Sequence, residues 1–154
     1  MNISTRSEYG LRALIYIARH SAIHPVSARE ISAAWHVPVK YLEQILKLLK
    51  DAGIVDSRIG LGGGYRLARP AALITAGEVI RVLDGRIAPF GCVSETEYLP
   101  CEFEVDCGLQ TLWARTRQAI LSIVDHTTIA DLARPVSEST ATSKPVSLRK
   151  QNER

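Results

Sequence analysis

The stretch VPVKYLEQILKLLKDAGIVDSRIGLGGGYRL, residues 37–67, decides the fold. Leu42, Ile45, Leu46 and Leu49 recur at the three- and four-residue spacing of one helix face. Pro38 has no N–H and biases the residue before it away from helix, so the stripe restarts after it, and Gly53 suits the left-handed position beyond a helix C-terminus. Two short strand-like runs follow, Ile54 to Ile59 and Tyr65 to Ala68, joined by Gly60-Leu61-Gly62-Gly63-Gly64. A glycine-rich turn between such runs predicts a β-hairpin.

Upstream, Leu11, Leu14, Ile15 and Ala18 predict an amphipathic helix over residues 5–20. Ser27 and Glu30 form a capping-box pattern that opens a second helix over 28–35, which His36-Val37-Pro38 interrupts. Helix, short break, helix and hairpin is the order of a winged helix-turn-helix. Downstream, Thr75 and Glu78 make another capping-box pattern, and the helix it opens carries Val79, Ile80 and Leu83 before Asp84-Gly85 closes it. Residues 86–108 hold Pro89, Pro100, several acids and no sustained period, which reads as a loop. From Leu109, an apolar stripe through Leu112, Trp113, Ile120, Ile123 and Val124 predicts a long helix with little of its own chain to cover it, so a second copy is the natural partner. The expected organisation is mainly α with a small β-hairpin: a DNA-binding domain over 1–85, a cysteine loop over 86–108, a dimerisation helix over 109–134 and a disordered tail over 135–154, where Ser, Thr, Pro, Lys and Arg dominate.

The 154 residues, 46% of them hydrophobic, suffice for one compact domain. Nineteen Lys and Arg against sixteen Asp and Glu leave +3, a mild excess that does not by itself indicate a nucleic-acid partner. Position says more than the total. Val39, Lys40, Tyr41, Glu43, Gln44 and Lys47 lie off the apolar stripe, and Lys50, Arg58, Arg66 and Arg69 extend a basic surface toward the wing, where Gly62 and Gly63 allow close backbone approach. Basic side chains neutralise phosphates, whereas Gln44 suits an adenine edge, Glu43 a cytosine amino group and Tyr41 a phosphate. An ordinary solvated helix face has the same composition, and the adjoining wing is what favours the DNA reading.

The segments contain no secretory signal pattern and no uninterrupted apolar run long enough to span a bilayer, which predicts a cytoplasmic protein without a membrane partner. Gly60 to Gly64 is not a nucleotide cradle, because Tyr65 stands where the dinucleotide fingerprint needs glycine and no Lys-Ser/Thr pair follows. Neither a nucleophile-base pair nor a substrate-pocket motif is legible, so no enzymatic activity is expected. Three cysteines, Cys92, Cys101 and Cys107, cluster within one loop. Such thiols suit a metal, an iron-sulfur cluster, direct thiol sensing or no function at all, although zinc sites more often show tight Cys-x-x-Cys pairs. His20, His24, His36 and His126 offer no ligand pair, and Trp35 and Trp113 read as packing residues.

The motifs Tyr41-Leu-Glu-Gln44, Gly60 to Tyr65 and Gly77-Glu78-Val79-Ile80, with the three spaced cysteines, resemble the Rrf2 family of bacterial regulators, the group of IscR-, NsrR- and RirA-like proteins. The resemblance covers residues 1–134. It implies a homodimer with a winged helix-turn-helix, a long C-terminal dimerisation helix and, in many members, an iron-sulfur cluster in the intervening loop. On that resemblance Cys92, Cys101 and Cys107 match the ligand positions, with a first gap longer than in some members, and the cluster is of either two or four irons. A fourth ligand is then needed. Gln110 replaces the histidine some members supply, and Glu8 matches a carboxylate that in some members ligates the partner subunit's cluster; Glu95, Glu102, Glu104 and Asp106 compete for that role, and Glu8 equally suits a helix N-terminus.

The expected function is therefore a homodimeric DNA-binding regulator on a double-stranded operator, switched by a cluster that responds to iron, redox state or nitric oxide. An iron-sulfur electron carrier or redox enzyme that binds no specific DNA, and a cluster-free thiol regulator, are the alternatives.

Overall fold

The structure is a computed structural model that describes residues 4–21, 24–60 and 62–135. The helix α1, Thr5–His20, begins where the Ser4 hydroxyl accepts from the backbone N–H groups of Arg6 and Ser7. Two of the four donors orphaned at a helix start are thereby satisfied. The Ser27–Glu30 capping box is complete and opens α2, Ala28–Trp35. His36 ends α2 in the left-handed conformation at φ 53°, unusual for a side chain larger than Asn, and this single residue makes the tight break before α3, Val39–Asp51. Gly53 takes φ +69° after α3, as its position predicts.

Strands β1, Val55–Arg58, and β2, Gly64–Leu67, pair antiparallel with Val55 opposite Leu67 and Asp56 opposite Arg66. The hairpin does not stand alone. Val26, just before α2, exchanges both backbone hydrogen bonds with Tyr65, at 3.0 and 2.7 Å, and so adds a one-residue third strand. That approach requires glycine at position 64, where a Cβ would lie 2.7 Å from the Val26 carbonyl oxygen.

In α4, Ala76–Asp84, the Thr75 hydroxyl accepts from the Glu78 N–H as expected, but the reciprocal half of the capping box is absent. Glu78 turns instead to an ion pair with Arg69, because a guanidinium offers a carboxylate more than one neutral N–H does. The loop that follows is irregular apart from short 3-10 turns at Gly91–Val93 and Glu104–Asp106. Phe90 anchors it against Trp113, with ring centroids 5.1 Å apart.

One helix over 109–134 is not what the chain forms. The helix α5, Gly108–Val124, stops at Asp125, and a second capping box, Thr128 with Asp131, starts the short α6, Ile129–Ala133. The break lets the chain return. Thr75 pairs with Thr128, Ala76 N–H donates to Thr127 at 2.8 Å, and Ile129 is fully buried in the core beside α1. That core is built from Leu14 and Ile17 of α1, Ile31 of α2, Leu42, Ile45, Leu46 and Leu49 of α3, Val79 and Leu83 of α4, and Ile129. Each such side chain, fully buried, contributes about 1.5–3 kcal/mol relative to exposure. The expected disordered tail lies, beyond Pro135, outside the described residues.

Candidate nucleic-acid interface and cysteine loop

The recognition surface follows from how α3 is seated. Its apolar stripe is wholly buried, which forces Lys40, Glu43, Gln44 and Lys47 outward, and all four are exposed. Val39 is half-buried against the core. Tyr41 is also half-buried, its ring edge-on to Tyr9 at 6.0 Å, so much of its surface serves packing.

A hydrogen bond ties the wing to α3. Lys50 Nζ donates to Ser57 Oγ at 2.6 Å, and the Tyr65 phenol is raised above its ordinary range by burial and by the Glu43 carboxylate nearby. Arg58 and Arg66 are exposed on the same hairpin face as Asp56, which stands directly opposite Arg66. Gly62 is exposed with φ +75°, and a Cβ on Gly63 would lie 2.2 Å from the Arg58 carbonyl oxygen. Arg69 does not join this surface. It donates to the Leu73 carbonyl at 2.8 Å and pairs with Glu78, so its charge braces the segment entering α4. Tyr65 and Gly64 are the residues that sequence reasoning passed over here. In the sequence Gly64 is one glycine of a glycine-rich turn, and no local signal marks its contact with Val26.

All three loop cysteines are free thiols: Cys92 half-buried, Cys101 exposed, and Cys107 half-buried at the start of α5, where it makes no side-chain cap. Tyr98 donates to Glu104 Oε2 at 2.5 Å, and Gln110 Nε2 donates to Glu104 Oε1 at 2.9 Å. The Tyr98 hydrogen bond to Glu104 chiefly, with desolvation and the Glu104 charge adding to it, raises the Tyr98 phenol. Glu104 is thus already engaged, and Gln110 holds it from α5. Glu95 pairs with Arg117, while Glu102 and Asp106 are exposed. Glu8 is exposed on α1 and pairs with Arg12, whose guanidinium lies over the Trp35 ring at 5.2 Å. Among the described residues, no three His, Cys, Asp or Glu side chains come close enough to hold a metal ion. The three thiols on one loop have the right softness for an iron-sulfur cluster.

A family model described as an iron-dependent transcriptional regulator, Rrf2, matches residues 3–135. The chain belongs to the Rrf2 family. It is 36% identical over 137 residues to Protein rrf2 of Nitratidesulfovibrio vulgaris, covering 89% of this chain and 90% of the relative. Its fold is similar to that of CymR, described as the global cysteine regulator of B. subtilis, with TM-score 0.73 and 36% identity over 86% of this chain and 96% of that one. A structure of T. potens IscR matches with TM-score 0.71 and 30% identity, covering 94% of each chain. The protein is a winged-helix transcriptional regulator, and among the described residues no helix is long and apolar enough to cross a membrane.

Proposed function

We propose that this protein is a cytoplasmic homodimer, without enzymatic activity, that binds a double-stranded operator through α3 and the wing and changes its affinity according to the state of the cysteine loop. The observation that carries the DNA reading is the paired exposure of Lys40, Gln44 and Lys47 on α3 with Arg58 and Arg66 on a wing hydrogen-bonded to α3 through Lys50 and Ser57. Gln44 and Glu43 supply groups for base edges, and the basic side chains supply phosphate contacts. Two copies joined through α5 present two α3 helices to successive major grooves.

Fluorescence anisotropy with a duplex from the region upstream of the protein's own gene tests this. Lys47→Ala and Arg66→Ala each lower affinity and reduce the slope of log K against log salt by about one. Slopes equal to that of the unaltered protein overturn the interface, and equal affinity for any duplex favours an electron carrier or another redox role.

For the switch, the finer reading is an iron-sulfur cluster on Cys92, Cys101 and Cys107, with Glu8 of the second copy as fourth ligand. Three free thiols on one loop and the iron-dependent description of the family support it. It requires the loop to draw its thiols together. Anaerobic purification with visible spectroscopy and assays of iron and sulfide tests it, and an unchanged spectrum in Glu8→Ala removes Glu8. The second reading is direct sensing through thiol oxidation without iron, which the exposed free thiol of Cys101 supports.

A further inference from the structure

A groove of about 330 Å³ lies between the Gly91–Val93 turn and α5, lined by Cys92, Val93, Gln110, Thr111, Ala114, Arg115 and Arg117. It combines a nucleophile, two cations, an amide and a small apolar wall. The Arg117 side chain is 14% exposed; its Nη1 forms an ion pair with Glu95, and its Nε is buried without a hydrogen bond among the described residues. A buried guanidinium in that condition has unspent capacity for an oxyanion. Glu95 is 68% exposed and is therefore a partner a ligand can displace. The groove also lies to one side of the α5 stripe formed by Leu109, Leu112, Thr116, Ile120 and Ile123, so a second copy covering that stripe leaves the groove's lining face of Gln110, Ala114 and Arg117 on another side of the helix.

We propose that this groove recognises small carboxylate-bearing disulfides and directs them to Cys92. Arg117 and Arg115 hold the carboxylate, Gln110 and Thr111 border it, and Val93 and Ala114 contact the carbon skeleton. The Cys92 sulfur, having given its proton to water, attacks one sulfur of R–S–S–R. The Cys92–S bond forms as the original S–S bond breaks, the other half leaves as R–S⁻ and takes up a proton, and Cys92 is oxidised as that half is reduced. The bound carboxylate competes with Glu95 for Arg117, which couples the modification to the attachment of the loop on α5. This deepens the reading of the loop as the sensing element and rests on that reading for its regulatory meaning, while the chemistry is measured without DNA.

Full-length protein carrying Cys101→Ser and Cys107→Ser, reduced and metal-free, is reacted in stopped flow with anionic dithiobis(nitrobenzoate), neutral dithiodipyridine and cationic cystamine, and the adduct is mapped by peptide mass. The expected result is a Cys92 adduct whose rate with the anionic reagent falls about tenfold in Arg115→Gln/Arg117→Gln, with the neutral reagent unaffected. Arg115→Gln alone, at an exposed position that leaves the fold intact, lowers the anionic rate by about threefold. Loss of rate with all three reagents alike, or charge-independent reaction in the unaltered arginine background, overturns the proposal. Failure here leaves the salt-dependent DNA binding untouched, so the two readings fall separately.

Discussion

The helices α3 and α5 carry the same sequence signal and meet opposite fates. Both show an apolar stripe at helical spacing, yet α3 buries Leu42, Ile45, Leu46 and Leu49 completely, whereas none of the described residues of α5 is buried. Leu109, Leu112 and Ile123 are 55%, 51% and 66% exposed. Periodicity announces that a face needs covering and says nothing about what covers it. In α3 the cover is α1, α2, α4 and β1 of its own chain; in α5 the contact with its own chain stops at the loop anchored by Phe90 and at the C-terminal end held by Arg81. An uncovered stripe of that kind marks an interaction surface.

The sharpest way to break this contrast is to truncate both stripes. Leu46→Ala costs about 2–5 kcal/mol by chemical denaturation, since α3 cannot collapse onto the space left. A loss under about 1 kcal/mol would mean that α3 is not the core helix it looks to be. Leu112→Glu/Ile123→Glu leaves the secondary structure of the single chain intact and abolishes self-association in sedimentation velocity. A double variant that sediments as the unaltered protein does would place the second copy elsewhere.

A smaller effect concerns how α5 is fastened. Arg81 makes two hydrogen bonds to Asp125, at 2.7 and 2.8 Å, and this holds the Asp125 carboxyl below its usual range, with the charges of Arg81 and His126 adding to it against the opposing effect of burial. A depressed carboxyl stabilises the fold above its unfolded value, about 3.9, and that contribution is lost as pH falls through the lower folded value. Asp125→Asn therefore costs about 0.5–1 kcal/mol at neutral pH, discounted for a pair one-third exposed, and flattens the stability profile below about pH 4. Equal acid sensitivity in the variant would exclude the pair as its source. The smallest effect is at Glu8, exposed and paired with Arg12 four residues on: Glu8→Gln changes stability by about 0.3–0.5 kcal/mol in the metal-free protein. A much larger change would point to a role for Glu8 beyond this pair.

The DNA-binding half was legible wherever its signals were local. Ser27 with Glu30, Pro38, Gly53 and the spacing of Leu42 to Leu49 each bear on the next few residues, and the ends of α1, α2 and α3 fell where those signals put them. The candidate interface was legible in part: Lys40, Glu43, Gln44 and Lys47 are exposed as their places off the apolar stripe imply, while Tyr41 and Arg69 have partners that no nearby residue announces. The cysteine loop was legible only as a concentration of thiols. Its arrangement depends on Glu104, Tyr98 and Gln110 meeting across a segment with no repeating period.

By itself, the sequence determined which segments become α1 to α4 and where they start and stop, and that a hairpin follows α3, because backbone conformation, capping and amphipathicity act over one or two turns. Only the tertiary structure decided that Val26 extends the hairpin, that α6 returns to place Ile129 in the core, that Glu78 takes Arg69 in preference to its own cap, and that Cys92 borders a groove with Arg117. Those choices are competitions among partners far apart in the chain, settled by burial and charge once the elements pack, and no local pattern records who wins.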